Sequence, residues 1–261
     1  MKAVILHIAL LGFAGAANLH AGDKDKAQEK LEHKIVDSGT FGIYVAGKRV
    51  GSETFKIEQR PDYGIITAEV KVNDGKSQAA QTAEMRVNPN GELRSYVWHS
   101  TAPQVEEATI EPQNDLLVEH LVFADQKKKD VPHMLPLTTA ILDNNFFSQR
   151  EVLLWRYLQS GCVWKDGQGR MCGPSSYAVL VPQDHSSANA TLSYIGIEKA
   201  TVNGVEKVLS KVSLRLGDPK QLVIMNGGAD SDAGQWVLWV DDQFKVIKIT
   251  VVGSNLEIVR D

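Results

Sequence analysis

Apolar and polar side chains alternate along most of the chain. Ile66, Ala68 and Val70 share one parity, whereas Thr67 and Glu69 share the other. Successive side chains of a strand point to opposite faces, so this period of two residues predicts a half-buried β-strand. The same alternation recurs between turn residues and predicts about 12 short strands. We therefore expect a mainly β fold, an antiparallel curved sheet or unclosed β-barrel wrapped around one central helix.

Two pairs of these segments are predicted to form hairpins. The turn at residues 88–91, Asn-Pro-Asn-Gly, separates two alternating runs and leads directly into the second of them. Residues 39–60 likewise contain two apolar runs around a tight turn. Asparagine, proline and glycine supply the backbone conformations that tight turns require, which supports both assignments.

Residues 137–158 break the alternation and are predicted to be helical. Their apolar positions form two adjacent stripes: Phe146, Leu153 and Tyr157, with Phe147, Leu154 and Leu158 beside them. Asp143 is placed to cap the longer second part of this helix. A stripe this wide needs a large apolar surface to cover it, so we expect the helix to pack against the concave side of the sheet.

The N-terminal residues 1–21 have the pattern of a signal peptide. A lysine precedes an apolar run from Ala3 to Phe13, and small residues suited to cleavage follow. That run is shorter than the roughly 20 residues of a transmembrane helix. Residues 22–34 are mostly polar and predict a linker, and residues 35–261 predict a single domain. We therefore expect a periplasmic or secreted protein without a transmembrane segment.

Charge and cysteine content narrow the possible partners. The net charge of -4 lacks the basic character expected of a nucleic-acid-binding protein. In an exported chain, Cys162 and Cys172 are expected to form a disulfide. The histidines are scattered, and no GxSxG or phosphate-binding motif occurs. Residues 230–234, with alternate carboxylates followed by glycine, resemble the start of a calcium loop, but the later glutamate is absent. No metal and no cofactor is expected.

Glu53 is the polar residue whose predicted position is most informative. Two-residue periodicity places it on the same face as Phe55 and Ile57, where a lone dry carboxylate costs several kcal/mol. Either Glu53 lies near a sheet rim or bonds a neighbouring backbone group or arginine, or it lies in the wall of a partly solvated cavity. The second interpretation makes these residues candidates for ligand binding: Glu53, Phe55, Phe146, Phe147 and Trp155.

Short motifs along the chain resemble those of a known kind of protein. They are Gly39-x-Phe41-x-Ile43, Gly47, Gly51-x-Glu53-x-Phe55, the LDNNFF segment at 142–147 and Trp239-x-Asp241. This layout resembles exported bacterial proteins of unknown function, with half-barrel sheets similar to the periplasmic lipoprotein carriers. The resemblance implies an unclosed barrel around a helix, and in the carriers that cavity holds acyl chains.

These observations lead to three functional hypotheses. The first is a non-enzymatic binding or carrier protein for a hydrophobic small molecule such as a lipid. The second is a structural or interaction module of the cell envelope with a protein partner, its interior filled by its own side chains. A hydrolase that uses scattered carboxylates is the third. A carrier needs unfilled apolar volume, which distinguishes the first hypothesis from the second.

Overall fold

The computed structural model describes residues 34–75, 78–165, 169–217 and 234–261. The predicted signal peptide, nearly all of the predicted linker and all but the last residue of the calcium-loop-like segment at 230–234 lie outside the described residues. Within them, the chain forms β-strands, one α-helix, α1 (Ser148–Ser160), and a short 3-10 helix at Pro182–Asp184. The strands are β1 (Lys34–Val45), β2 (Lys48–Gln59), β3 (Gly64–Asn73), β4 (Gln78–Val87), β5 (Leu93–Ala102), β6 (Glu106–Gln113), β7 (Leu116–Phe123), β8 (Lys128–His133), β9 (Ala140–Ile141), β10 (Cys162–Lys165), β11 (Gly169–Cys172), β12 (Ser175–Val181), β13 (Ser186–Val202), β14 (Val205–Leu216), β15 (Gln235–Val240), β16 (Val246–Val251) and β17 (Leu256–Arg260).

Fifteen of the described strands form one large, curved, unclosed sheet. The chain enters the sheet at β1, near the middle of the sheet, and runs outward through consecutive hairpins to the edge strand β8. It then crosses to the opposite edge at β9, continues through α1 and the β10–β11 hairpin to β12 beside β9, and returns through β13 to β17. There β17 pairs antiparallel with β1, so that Phe41 lies opposite Arg260. This ladder joins the two meanders into one sheet.

The strand count differs from the sequence prediction, because the described residues contain 17 strands rather than about 12. The additional strands have little alternation to detect. The edge strand β8 is rich in lysine and includes Pro132, which is typical of a protected sheet edge and also of a loop. The strand β9 has only two residues. The hairpin of β10 and β11 is closed by the predicted disulfide between Cys162 and Cys172, which the structure confirms.

The predicted alternation and hairpins are otherwise confirmed. In β3, Ile66, Ala68 and Val70 are buried while Glu69 and Lys71 are exposed. The strands β4 and β5 pair across residues 88–92, and β1 pairs with β2 across Ala46–Gly47. Both hairpins turn at a residue with positive φ. The alternation in the sequence thus correctly identified the face of β3 that is buried in the core.

The helix is shorter than predicted, because residues 137–147 are not helical. Ala140 and Ile141 instead form β9, and the amide of Leu142 donates a hydrogen bond to the carbonyl of Leu180. The carbonyl of Leu137 accepts a hydrogen bond from the amide of Leu93. These backbone groups are satisfied by the sheet, so the helix begins only at Ser148.

The described helix packs against the concave side of the sheet, as predicted. Phe146 and Phe147 are buried in the segment that enters it, as are Leu153, Leu154 and Tyr157 within it. Leu158 is partly buried and contacts the same core. Since both stripes face inward, α1 fills the interior of the unclosed barrel.

Candidate functional site

The concave side around Glu53 is filled by the protein's own side chains. The rings of Phe41 and Phe55 stack with their centroids 5.0 Å apart. The centroids of Phe147 and Trp236 are 6.4 Å apart. Glu53 is 0% exposed. Its carboxylate is therefore surrounded by packed protein rather than by solvent.

Glu53 caps the N-terminus of α1 from a distant strand. Its Oε2 accepts a hydrogen bond from the amide of Phe147 at 2.6 Å. Its Oε1 accepts hydrogen bonds from the amide of Ser148 at 3.1 Å and from the hydroxyl of Ser148 at 2.5 Å. The first amides of a helix have no partner within the helix, and the N-cap residue Phe147 has no side-chain acceptor to offer. The carboxylate of β2 supplies that acceptor and lies at the positive end of the helix dipole.

Asp143 was expected to cap this helix, and the structure assigns it a different role. One carboxylate oxygen accepts a hydrogen bond from the amide of Gln183 at 3.0 Å, and the other accepts one from the hydroxyl of Tyr96. The amide of Asp143 donates to the side-chain oxygen of Gln149 at 2.6 Å. Asp143 therefore fixes the chain just before the helix to β5 and to the 3-10 helix.

Arg150 lies between these two carboxyl groups and is only 2% exposed. Its Nη1 donates hydrogen bonds to the carbonyls of Asp143, at 3.1 Å, and of Phe146, at 3.0 Å. Its guanidinium lies 4.3 Å from the centroid of the Trp236 ring. A cation over an aromatic face is attracted by the ring quadrupole, so the tryptophan covers the charge that α1 brings into the core.

Burial dominates the titration of this cluster. Burial raises the pKa of Glu53 to about 7, while the hydrogen bonds from Ser148 and Phe147 and the charge of Arg150 act in the opposite direction. Burial likewise raises the pKa of Asp143 to about 7. Burial lowers the pKa of Arg150 to about 10, against the attraction of the two carboxyls. The geometry is that of a structural cap whose donors and acceptors are internal.

A second ionic cluster fixes the first turn of α1 to the seam where β1 pairs with β17. Arg260 Nη2 lies 2.8 Å from a carboxylate oxygen of Asp37 and 2.6 Å from one of Glu151. Lys245 Nζ lies 2.8 Å from the other oxygen of Asp37. Burial opposes ionisation of Asp37, yet the bonds to Arg260, Glu151 and Lys245 hold its pKa well below the usual range. Burial, and then the bond to Asp37, raise the pKa of Glu151 to about 9. The helix is thus bonded to Arg260 of β17, which also bonds Asp37 of β1.

A third polar cluster surrounds a buried carboxylate on β7. Glu119 is 0% exposed, and its two oxygens lie 3.1 Å from His133 Nε2 and 3.1 Å from His185 Nδ1. The other ring nitrogen of His185 is 4.0 Å from an oxygen of Glu106. Together these groups bond β7, β8 and the residue after the 3-10 helix to one another.

A pocket of about 710 Å³ opens at the rim of the barrel, between one flank of α1 and the turn that joins β4 to β5. Its larger apolar lining residues are Met85, Val87, Leu93, Ile141, Val152, Leu153, Trp155 and Tyr177. Its polar lining residues are Gln59, Asn88, Asn90, Thr139, Gln149, Arg156, Gln159 and Ser160. Ligand sites are typically apolar concavities of about 300–1,000 Å³ with a few polar groups. We call this feature the rim pocket.

The predicted ligand-binding residues are distributed differently from the prediction. Trp155 lines the rim pocket, and its indole N–H donates a hydrogen bond to the carbonyl of Phe244 at 2.7 Å. Glu53, Phe146 and Phe147 lie in the packed core instead. Phe55 is also buried and borders a shallower groove whose other residues include outward-facing ones of β2 to β5. The cavity is therefore at the rim rather than beneath Glu53.

Sequence reasoning missed most of the rim pocket. Gln149, Val152, Leu153 and Arg156 are spaced as one stripe of a helix, so they share the flank of α1 that borders the pocket. That spacing was present in the sequence and could have marked the flank. The contribution of β4 and β5 could not have been found in this way, because it depends on how the turn at 88–92 lies against the helix.

The described ranges contain no group of three histidine, cysteine, aspartate or glutamate side chains arranged to hold a metal ion. Within the same ranges, no helix has the length and apolar character needed to cross a membrane.

The fold is that of a barrel-like β protein with an internal helix, and the rim pocket lies beside that helix. No protein-family model matches the chain, and no curated protein matches it significantly. Among solved structures, the chain is similar to a crystal structure described as a beta-barrel-like protein of domain of unknown function DUF1849, from Brucella abortus. The two share 7% sequence identity over 88% of this chain and 94% of the other, with a TM-score of 0.50. This likeness shows the fold alone, and the resemblance to lipoprotein carriers stays a prediction.

Proposed function

We propose that this protein is an exported binding or carrier protein that holds a hydrophobic small molecule, such as a lipid, in the rim pocket. The observation that carries the proposal is the pocket itself, about 710 Å³ of space beside α1. Aliphatic and aromatic side chains make up about half of its lining, and the polar ones include amides and hydroxyls. Burial of apolar ligand surface against such a lining is the main source of affinity in small-molecule sites.

The arrangement of the helix supports the same proposal. The core face of α1 is occupied by packing against the sheet, whereas Val152 and Trp155 remain only partly buried beside the pocket. The helix is held at its N-terminus by Glu53 and in its first turn by the bond from Arg260 to Glu151. A pocket wall that is fixed in this way keeps its shape when empty, which reduces the ordering cost of binding.

A periplasmic or secreted location belongs to this proposal. The disulfide between Cys162 and Cys172 is compatible with an oxidising compartment, where such bonds persist. The signal-peptide pattern of the sequence points in the same direction.

The filled interior favours a second candidate, a structural or interaction module of the envelope. Glu53, Phe41 and Phe55 occupy the space beneath the helix that a large central cavity would need. On this alternative the rim pocket is a surface irregularity and binds nothing.

Fluorescence titration with the neutral apolar dye N-phenyl-1-naphthylamine separates these two candidates. The Val152→Trp variant is designed to fill the pocket from the helix flank, and Val208→Trp is the matched control because Val208 is 67% exposed on β14. The proposal predicts saturable binding to the wild type and to Val208→Trp, with binding weakened at least about tenfold in Val152→Trp.

Native mass spectrometry and lipid extraction of protein purified from its own host complete the test. A co-purifying apolar molecule that is displaced by the dye is the expected result. Absence of dye binding by the lipid-stripped wild type, together with a ligand-free mass, would overturn the proposal and favour the structural module.

A further inference from the structure

We infer that the ligand of the rim pocket is an anionic amphiphile, an apolar chain with a carboxylate or phosphate head, and that Arg156 binds the head. The inference rests on the proposed function and specifies the chemical class of its ligand. Arg156 is the one charged residue among those that line the pocket in the described part of the chain. The lining includes no aspartate, glutamate, lysine or histidine, so its only formal charge is positive although the whole chain carries -4.

Among the described residues, the guanidinium of Arg156 is held in place without a carboxylate partner. Its Nη1 donates a hydrogen bond to the carbonyl of Thr138, and its carbon Cζ lies 5.0 Å from the centroid of the Tyr177 ring. These two contacts fix the plane of the group and use one of its five N–H donors. Within the described residues, the other donors are left for solvent or for a ligand. Arginine binds carboxylate and phosphate through two parallel hydrogen bonds, which this geometry permits.

Apolar side chains lie within one helical turn of the arginine on the flank of α1 that lines the pocket. Val152 and Leu153 lie on this flank between Gln149 and Arg156. Met85, Val87 and Leu93 add apolar side chains to the lining from the sheet side. A chain packed against the apolar part therefore places its head group beside the arginine.

The β4–β5 turn leaves room for that head group. Gly91 in this turn has φ of +82°, and a Cβ atom there would lie 3.8 Å from Arg156 Nε. The turn thus approaches the guanidinium with bare backbone rather than with a side chain. Asn88 and Asn90 add neutral amide donors at the same mouth and no competing negative charge.

Isothermal titration of lipid-stripped protein with twelve-carbon probes tests the inference. The probes are laurate, dodecyl phosphate, dodecanol and dodecyltrimethylammonium, each at concentrations where the chains stay monomeric. Wild-type protein is expected to bind laurate or dodecyl phosphate about 10- to 100-fold more tightly than dodecanol, the range of a charge-assisted hydrogen-bonded pair. Dodecyltrimethylammonium is expected to bind most weakly. Preference for laurate over dodecyl phosphate assigns a carboxylate head, and the reverse assigns a phosphate.

Variants of the arginine assign the preference to this residue. Arg156→Gln is expected to lose the preference for the anionic probes, and Arg156→Lys is expected to keep part of it, because a lysine retains the charge but not the planar fork. Arg94→Gln is the matched control, since Arg94 is an exposed arginine that stacks on Tyr63 away from the pocket. Circular dichroism of each variant confirms that it is folded.

Equal affinity of the wild type for laurate, dodecyl phosphate and dodecanol would overturn the head-group inference while leaving the proposed function standing. The same holds if Arg156→Gln retains the full preference. If neither dodecanol nor N-phenyl-1-naphthylamine binds, the proposed function fails first and the inference fails with it.

Discussion

Glu53→Gln is the substitution that most directly tests the structural role of the buried carboxylate. Glutamine keeps the shape of the side chain and one acceptor oxygen, but its NH₂ group cannot accept a hydrogen bond. Both oxygens of Glu53 now accept hydrogen bonds, from the amides of Phe147 and Ser148 and from the hydroxyl of Ser148. At least one of these buried donors loses its acceptor. We expect the free energy of unfolding to fall by about 1–3 kcal/mol.

The cost of this substitution is also expected to depend on pH. In the folded protein the pKa of Glu53 is about 7, above its ordinary value of 4.5, so the folded state binds the proton more tightly than the unfolded chain does. The stability that comes from this difference is fully present below about pH 4.5 and is lost as the pH rises through 7. Glutamine does not titrate. The stability difference between wild type and variant should therefore narrow as the pH rises from about 4.5 to above 7.

Urea denaturation at a series of pH values measures both effects. The slope of the unfolding free energy against urea concentration shows whether the unfolding transition itself is unchanged by the substitution. Glu69→Gln is a suitable control, since Glu69 lies on the outer face of the adjacent strand and its side chain is 52% exposed. The control should show neither the loss nor the change with pH. Wild-type stability of Glu53→Gln at every pH would refute the cap, and a constant difference would refute the buried titration.

Three further predictions concern the packing and the covalent frame. Phe147→Ala should lower the free energy of unfolding by about 3–5 kcal/mol in urea denaturation, because the side chain is only 3% exposed; a change below about 0.5 kcal/mol would place it in solvent. Intact-mass measurement after alkylation should find no free thiol at Cys162 or Cys172 before reduction, and two labelled thiols would contradict the disulfide. Gly51→Ala should cost about 1–3 kcal/mol, since its Cβ would lie 2.3 Å from a backbone oxygen of β3, whereas Gly173→Ala meets nothing within 4 Å and should be neutral.

The sequence was informative where one residue type repeats with a clear period. Alternation at Ile66, Ala68 and Val70 identified the buried face of β3, and the apolar stripes of α1 identified the face that packs on the sheet. Both patterns arise from local geometry, two residues per strand repeat and 3.6 per helical turn. The parity argument also placed Glu53 on the inner face correctly.

The start of the helix and the position of the pocket depended on contacts between distant residues. Asp143 is a residue type that commonly caps helices, but Tyr96 and Gln183 donate hydrogen bonds to its carboxylate. Glu53, which lies 94 residues before Phe147 in the sequence, caps the helix instead. Such pairings follow from the register of the sheet and leave no periodic trace. The rim pocket is likewise formed where the β4–β5 turn meets the helix flank. Its single arginine is separated from that turn by more than 60 residues of sequence.

The ladder between β1 and β17 also has a consequence for how the chain reaches this structure. Each meander consists of neighbouring hairpins whose partners are close in sequence, whereas the side chains of Asp37 and Arg260 that meet at the ladder are 223 residues apart. Contacts of such separation close a long loop, and that entropy must be lost before the contact contributes. We therefore expect the two meanders to form by local pairing, and the joining of β1 to β17 to be the slow step that encloses the helix. On this reasoning the seam, rather than either half, limits the rate of folding.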